Sequence, residues 1–148
     1  MVRYFSDVEI GEEMGPLKRV VNRSDVVAFS NIWRNEESLA GPTFFTDSEE
    51  AQREGLPGVI VPGPMSMAFL AQLLTTWAEG GWVRKLDVVF RQTVPHDTPL
   101  QIVGIVTDKY EAEGEGCVEC DLYLEKEDGD RLVGGQAILV LPFESERT

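Results

Sequence analysis

The sequence GVIVPGPMSMAFLAQLLTTW, residues 58–77, decides the fold of this chain. From Pro64 onward, polar residues interrupt the apolar ones at only four positions: Ser66, Gln72, Thr75 and Thr76. A pattern that is apolar on almost every side predicts a helix, beginning at Pro64, that is buried all round. Prolines at positions 57, 62 and 64 keep the apolar run below the roughly 20 residues of a membrane span. The stretch therefore predicts a core helix.

Alternating segments typical of β-strands follow this helix. Three apolar residues, Leu86, Val88 and Phe90, alternate with Asp87, Val89 and Arg91, which is the strand period of two. Glycine-rich turns at 113–116 and 128–129 separate the later strands, the last of which is predicted over residues 132–141. From residue 82 onward the pattern predicts a meander. A long helix feeding long strands predicts an α+β protein with a hot-dog fold, in which a mainly antiparallel β-sheet wraps a long central helix.

Shorter elements are predicted before the central helix. Residues 16–21 form a candidate first strand, and Ser24 or Asp25 is expected to cap a short helix that runs through residue 32. Residues 34–45 show little periodicity and are predicted to form a loop. Thr46 and Glu49 have the spacing of a capping box for a second short helix, which Gly55 is expected to end.

Composition limits the functions to consider. The chain has 148 residues, of which 43% are hydrophobic, so one domain over residues 1–148 is expected. Its N-terminal residues lack the apolar segment of a signal peptide, so a cytoplasmic location is expected. The net charge of -13 argues against nucleic-acid partners and anionic membrane surfaces. An anionic ligand would need a local arginine or lysine.

Two cysteines, Cys117 and Cys120, lie three residues apart in a run with strand alternation. Strand residues three apart point to opposite faces of the sheet, so this spacing does not favour a shared metal or a redox pair. The chain has a single histidine and no second cysteine pair. No metal site and no cofactor are therefore expected.

Three segments resemble the MaoC-like dehydratases, which are hot-dog proteins that hydrate trans-2-enoyl thioesters or run the reverse dehydration. The segments are SDVVAFSNIW (24–33), PTFFTDSEEAQREGLPGVIVPGPM (42–65) and LDVVFRQTVPHDTPLQIVGIV (86–106). The resemblance implies an acyl-CoA or other acyl-thioester ligand. It also implies a dimer whose two sheets pack into one, with the acyl tunnel at the interface.

The catalytic loop departs from the pattern of this family. Active members read close to D-x-N-P-x-H-x-D, in which an aspartate and a histidine flank a water. When the last acid is aligned with Asp47, Phe45 stands at the histidine position and Ala40 at the first aspartate position. A histidine exchanges protons near neutral pH and phenylalanine cannot. The resemblance therefore implies that both halves of the catalytic pair are missing.

Two elements of the family's catalytic site remain candidates. Gly63 stands where the family uses a backbone N–H, at the start of the central helix, to polarise the thioester carbonyl. Pro64 has no N–H, so only later amides such as that of Met65 would add to Gly63. Alternatively, this Pro-Gly-Pro sequence simply begins the helix.

Asp47 is either an acid that stabilises a helix N-terminus or a surviving general base. His96 is predicted to be a solvated turn residue.

The family resemblance also implies ligand-binding residues. The candidates for the tunnel lining are Phe44, Phe45, Met65, Ser66, Met67 and Trp77, which are equally explained as core. The basic residues best placed to meet coenzyme A phosphates are Arg84, Lys85 and Arg91, which are equally explained as outward strand charges.

Three functional hypotheses follow. The first is a non-catalytic acyl-binding subunit, in a homodimer or beside a catalytic paralogue. The second is an active hydratase or dehydratase that uses Asp47 or another group. The third is a thioesterase that uses Asp47 or Glu49 with Gly63, since some hot-dog thioesterases need no histidine.

Overall fold

The computed structural model describes residues 1–33, 43 and 45–144. A 3-10 turn at Phe5–Asp7 precedes the first strand. The strands are β1 (Glu13–Arg19), β2 (Trp82–Phe90), β3 (Leu100–Ala112), β4 (Glu115–Lys126) and β5 (Arg131–Leu141). The helices are α1 (Arg23–Trp33), α2 (Ser48–Arg53) and α3 (Gly63–Trp77). None of the described helices is long and apolar enough to cross a bilayer.

The five strands form one antiparallel sheet in the order β1-β3-β4-β5-β2. The predicted α+β class is thus confirmed, but the meander is correct only for β3, β4 and β5. Strand β2 pairs with β5, with Leu86 opposite Ala137 and Phe90 opposite Val133. It does not pair with β3, because β1 occupies the other edge of that strand. Consequently β2 forms an edge of the sheet.

Helix α3 packs across one face of the sheet and contacts all five strands. Its Leu70, Leu73 and Leu74 are buried against the inward residues of the strands. Gly135 of β5 lets the helix approach closely, since a Cβ there would lie 3.3 Å from Leu70 Cδ1. This contact between α3 and the sheet forms the hydrophobic core.

The prediction that the central helix is buried all round is wrong for the described part of the chain. Met67 is 40% exposed, and Ala68, Gln72, Thr75 and Thr76 are exposed beside it. One sheet layer covers only the side of the helix that faces it, so the opposite side stays uncovered within the described residues. The helix also begins one residue earlier than predicted, at Gly63, with Pro62 at the N-cap.

Helix caps differ from the sequence prediction by one to three residues. For α1, Asn22 and Asp25 form reciprocal bonds: Asp25 N donates to Asn22 Oδ1 (2.8 Å), and Asn22 N donates to Asp25 Oδ2 (3.1 Å). For α2, Asp47 rather than Thr46 is the N-cap. Asparagine, aspartate, serine and threonine can all accept from the free amides at a helix start, so the sequence does not show which of several neighbouring residues is the cap.

Candidate functional site

A cleft of about 490 Å³ lies at the N-terminus of α3. Three chain segments line it, and their lining residues are Phe45, Ile60, Val61, Gly63, Ser66, Phe90, Arg91, Gln92, Thr93 and Val94. Val61 N donates to Val94 O at 2.7 Å, which ties the segment before α3 to the segment after β2. The end of the edge strand and the start of the core helix thus form two walls of one cleft.

Among the described residues, the first turn of α3 leaves one backbone donor without an acceptor. The Met65 and Ser66 amides both donate to Pro62 O, at 3.0 and 3.2 Å. Pro64 has no N–H, and Gly63 N–H donates no hydrogen bond to any residue that the structure describes. Helix N-termini attract electronegative groups through such free amides. The Met65 amide, a possible later donor in the sequence, thus already donates to Pro62 O, whereas Gly63 N–H has no acceptor among the described residues.

Ser66 adds a second polar group to this turn. The residue lines the cleft and is only 1% exposed. Its hydroxyl has no hydrogen-bond partner among the described residues. Buried hydroxyls are normally paired, because an unpaired one loses its hydration without compensation. Ser66 is thus an unsatisfied polar group beside the cleft.

Phe90 forms the wall next to Gly63. A Cβ at position 63 would lie 3.2 Å from Phe90 Cζ, so the ring packs directly against the glycine. Half of the Phe90 residue is nevertheless exposed, because β2 is an edge strand. Phe90 is not among the lining residues that the sequence predicts. The one feature of the sequence that points to Phe90 is its position as the last apolar residue of the strand alternation.

Arg91 supplies positive charge to the cleft. It is exposed, and its side chain forms no ion pair with a described residue. Its backbone N donates to Leu132 O at 3.0 Å, which holds the end of β2 to β5. Arg91 is the one charged residue in the described lining, so a ligand would meet a positive charge there despite the acidic composition of the chain.

The other candidate cations lie outside the cleft lining. Arg84 donates from Nη2 to Glu115 Oε1 at 2.5 Å, and its guanidinium stacks over Trp82 at 4.9 Å from the ring centroid. The hydrogen bond that Arg84 donates to Glu115 raises the pKa of Arg84. Lys85 forms an ion pair with Asp87, with 3.3 Å between Nζ and Oδ2.

The remaining candidates are distributed over the fold. Phe45 lines the cleft, whereas Met65 is buried in the core and Trp77 lies at the far end of α3. Asp47 Oδ1 accepts from Glu49 N (2.8 Å) and Glu50 N (3.2 Å), so this carboxylate caps α2. Phe44 and Ala40 lie outside the described residues.

His96 is not the solvated turn residue that the sequence predicts. It is 8% exposed, and its Nε2 lies 3.1 Å from Ile60 O. The segment after β2 forms an isolated bridge from Pro95 to Ile60, and this contact buries the ring. Turn composition indicates a loop but cannot show that another segment covers it.

Cys117 and Cys120 are free and buried. Burial raises the pKa of the Cys120 thiol to about 12, which keeps it protonated. Within the described ranges, no group of three or more histidine, cysteine or acidic side chains is arranged to hold a metal ion.

Solved structures with the same architecture were found by comparison. A MaoC-like dehydratase from Rhodospirillum rubrum superposes with a TM-score of 0.79 and 16% identity over 96% of this chain and 98% of the other. The (R)-hydratase from A. caviae involved in PHA biosynthesis superposes with a TM-score of 0.75 and 18% identity, over 91% of this chain and 98% of the other. A chain of the ChsH1-ChsH2 complex from Mycobacterium tuberculosis superposes with a TM-score of 0.75 and 14% identity, over 90% of this chain and 98% of the other. The chain has the hot-dog fold of MaoC-like dehydratases and (R)-hydratases.

No protein-family model and no curated protein sequence matches the chain. The likeness to the hot-dog structures is therefore one of fold, at identities of 14% to 18%. Within this hot-dog fold, Phe45, the residue that the sequence aligns with the histidine of active MaoC-like dehydratases, lines the cleft.

Proposed function

We propose that this protein binds an acyl thioester, such as an acyl-CoA, in the cleft at the N-terminus of α3. In this proposal, it acts as a non-catalytic subunit of a hydratase or dehydratase assembly. The observation that carries the proposal is the pairing of a free helix N-terminal amide with an apolar cleft. Gly63 N–H is available to a carbonyl oxygen, while Phe45, Phe90 and Val94 offer apolar surface to an acyl chain.

The size and charge of the cleft support this ligand class. Its volume of about 490 Å³ lies within the ordinary range of small-molecule sites. Arg91 stands at the same cleft without an ion-pair partner among the described residues, so it is available to an anionic group such as a coenzyme phosphate.

The chemistry of the lining favours binding over catalysis. Hydration of a double bond needs a group that gives and takes protons, which in proteins is usually a histidine or a carboxylic acid. The described lining residues include neither. Asp47 is engaged as the cap of α2, and His96 faces Ile60 O. A catalytic subunit would then supply the proton-transfer groups.

A partner chain is supported by the edge of the sheet. Trp82, Val89 and Phe90 of β2 are 50%, 55% and 50% exposed on a strand whose outer edge is unpaired in the described part of the chain. Exposed apolar edge strands tend to pair with another strand. We infer that β2 pairs with the equivalent strand of a second copy or of a paralogue. One structural neighbour is itself part of a complex of two named components, ChsH1 and ChsH2.

Calorimetry of the purified chain with octanoyl-CoA tests the binding proposal. The expected result is saturable binding that weakens several-fold in Arg91→Gln and weakens as salt rises. Arg84→Gln is the matched control, because it removes the same charge at a residue that is paired with Glu115 and lies outside the cleft lining. Absence of binding, or equal weakening in both variants, would contradict the proposal.

Turnover assays on the same preparation test the non-catalytic role. We expect neither loss of enoyl absorbance from trans-2-enoyl-CoA nor release of free thiol from acyl-CoA. Loss of enoyl absorbance would identify a hydratase instead, and thiol release a thioesterase.

A further inference from the structure

We propose that Ser66 is a ligand-positioning residue whose hydroxyl donates the second hydrogen bond to the thioester carbonyl, beside Gly63 N–H. This inference rests on the proposed acyl-thioester function and assigns it a specific donor pair. Three observations lead to it: the shortage of backbone donors, the unsatisfied state of Ser66, and its position on the helix.

The shortage of donors follows from the first turn of α3. A carbonyl oxygen has two lone pairs and is polarised best by two donors. Here Pro64 has no N–H, and Pro62 O accepts from both the Met65 and Ser66 amides. Gly63 N–H is therefore the one backbone donor that this turn offers among the described residues, so a second donor on this turn would come from a side chain.

Ser66 is the buried hydroxyl of the described lining, whereas Thr93 is exposed. Ser66 borders the same cleft, is 1% exposed, and its Oγ has no partner in the described part of the chain. A buried hydroxyl without a partner costs free energy, and a ligand that accepts its hydrogen bond recovers that cost on binding. The structure thus leaves Ser66 unsatisfied until an acceptor enters the cleft.

The helix geometry brings the two donors to one side. Residues 63 and 66 are three apart, so they lie on the same face of the helix and are separated along its axis by about 4.5 Å. A carbonyl oxygen placed between the Gly63 amide and the Ser66 hydroxyl would accept a hydrogen bond from each. The acyl chain would then extend along Phe45 and Phe90.

The test compares octanoyl-CoA with its thioether analogue S-octyl-CoA, in which a CH₂ group replaces the carbonyl. Calorimetry measures both ligands against wild type, Ser66→Ala and Thr75→Ala. The last variant removes an exposed hydroxyl from the same helix as a matched control. Ser66→Ala should weaken octanoyl-CoA binding about fivefold to tenfold and leave S-octyl-CoA binding unchanged. Thr75→Ala should change neither.

A spectroscopic measurement checks the same contact. The infrared carbonyl band of ¹³C-labelled octanoyl-CoA should shift to lower frequency on binding wild type, and less so on binding Ser66→Ala. Equal loss of affinity for both ligands in Ser66→Ala, or an unchanged carbonyl band, would overturn the role of Ser66 while leaving acyl binding intact. If wild type binds neither ligand, the proposed function is wrong and this inference is wrong with it.

Discussion

At the scale of single residues, Asp47 illustrates how local geometry assigns a role. Its Oδ1 accepts hydrogen bonds from the amides of Glu49 and Glu50. No other described side chain accepts from these two amides. Asp47→Ala should therefore lower the free energy of unfolding by about 1 kcal/mol, and Asp47→Asn by much less, since asparagine also caps helices. Chemical denaturation measures both. If Asp47 were a general base, Asp47→Asn would instead abolish a turnover that the wild type shows.

Cys120 gives a second prediction at this scale. Its residue is 1% exposed, and burial raises its pKa to about 12, so at pH 8 the thiolate is on the order of one part in ten thousand. In a Cys117→Ala background, Cys120 should react with a thiol reagent only as fast as the protein unfolds. The reaction should become rapid once denaturant is added. Rapid modification of the folded variant would show that the strand is more accessible than its burial indicates.

At the scale of elements, the open shape of the cleft at the start of α3 depends on the glycine at position 63. Gly63→Ala would place a Cβ 3.2 Å from Phe90 Cζ and move the ring into the cleft. We expect a severalfold loss of octanoyl-CoA affinity with a change in unfolding free energy below about 0.5 kcal/mol, because the ring is half exposed and free to move. The double variant Gly63→Ala with Phe90→Ala should recover part of the affinity. Failure of this rescue would indicate that Phe90 is not the obstacle.

Strand β3 needs a glycine at position 104 because of close packing in the core. A Cβ at Gly104 would lie 2.8 Å from Leu122 Cδ2 and 3.1 Å from Met14 Sδ, inside the packed core. Gly104→Ala should therefore cost roughly 1–3 kcal/mol of stability through overpacking. Gly58→Ala is the control, since a Cβ there meets no described residue within 4 Å. Thermal unfolding of the two variants should differ clearly, and equal midpoints would contradict the tight packing of β3.

At the scale of the whole molecule, the edge of β2 is expected to control assembly. Val89→Lys should shift the protein towards the monomer in light scattering, because it places a charge on the exposed apolar edge. Ile10→Lys makes the same change at another exposed residue, away from β2, and should leave the mass unchanged. Higher salt should favour the dimer by screening the repulsion between two chains of charge -13. A wild-type chain that is monomeric under all these conditions, even with a paralogue, would contradict the inferred partner.

Periodicity by itself determined the elements of this protein. The apolar run at residues 58–77 specified the core helix, and the alternation after residue 82 specified the strands, because side-chain period reflects local backbone geometry. The α+β class and the hot-dog fold followed from this pairing. The sequence named four candidates that the structure brings to one cleft: Phe45, Gly63, Ser66 and Arg91.

Tertiary structure alone decided how these elements meet. Pairing of β2 with β5 brings Phe90 against Gly63, and no local pattern contains that long-range register. The same holds for the burial of His96 by the segment at Ile60, and for the unsatisfied hydroxyl of Ser66. Burial and hydrogen-bond satisfaction depend on residues that are distant in the sequence. The periodicity of a segment reflects only residues that are close together in the sequence.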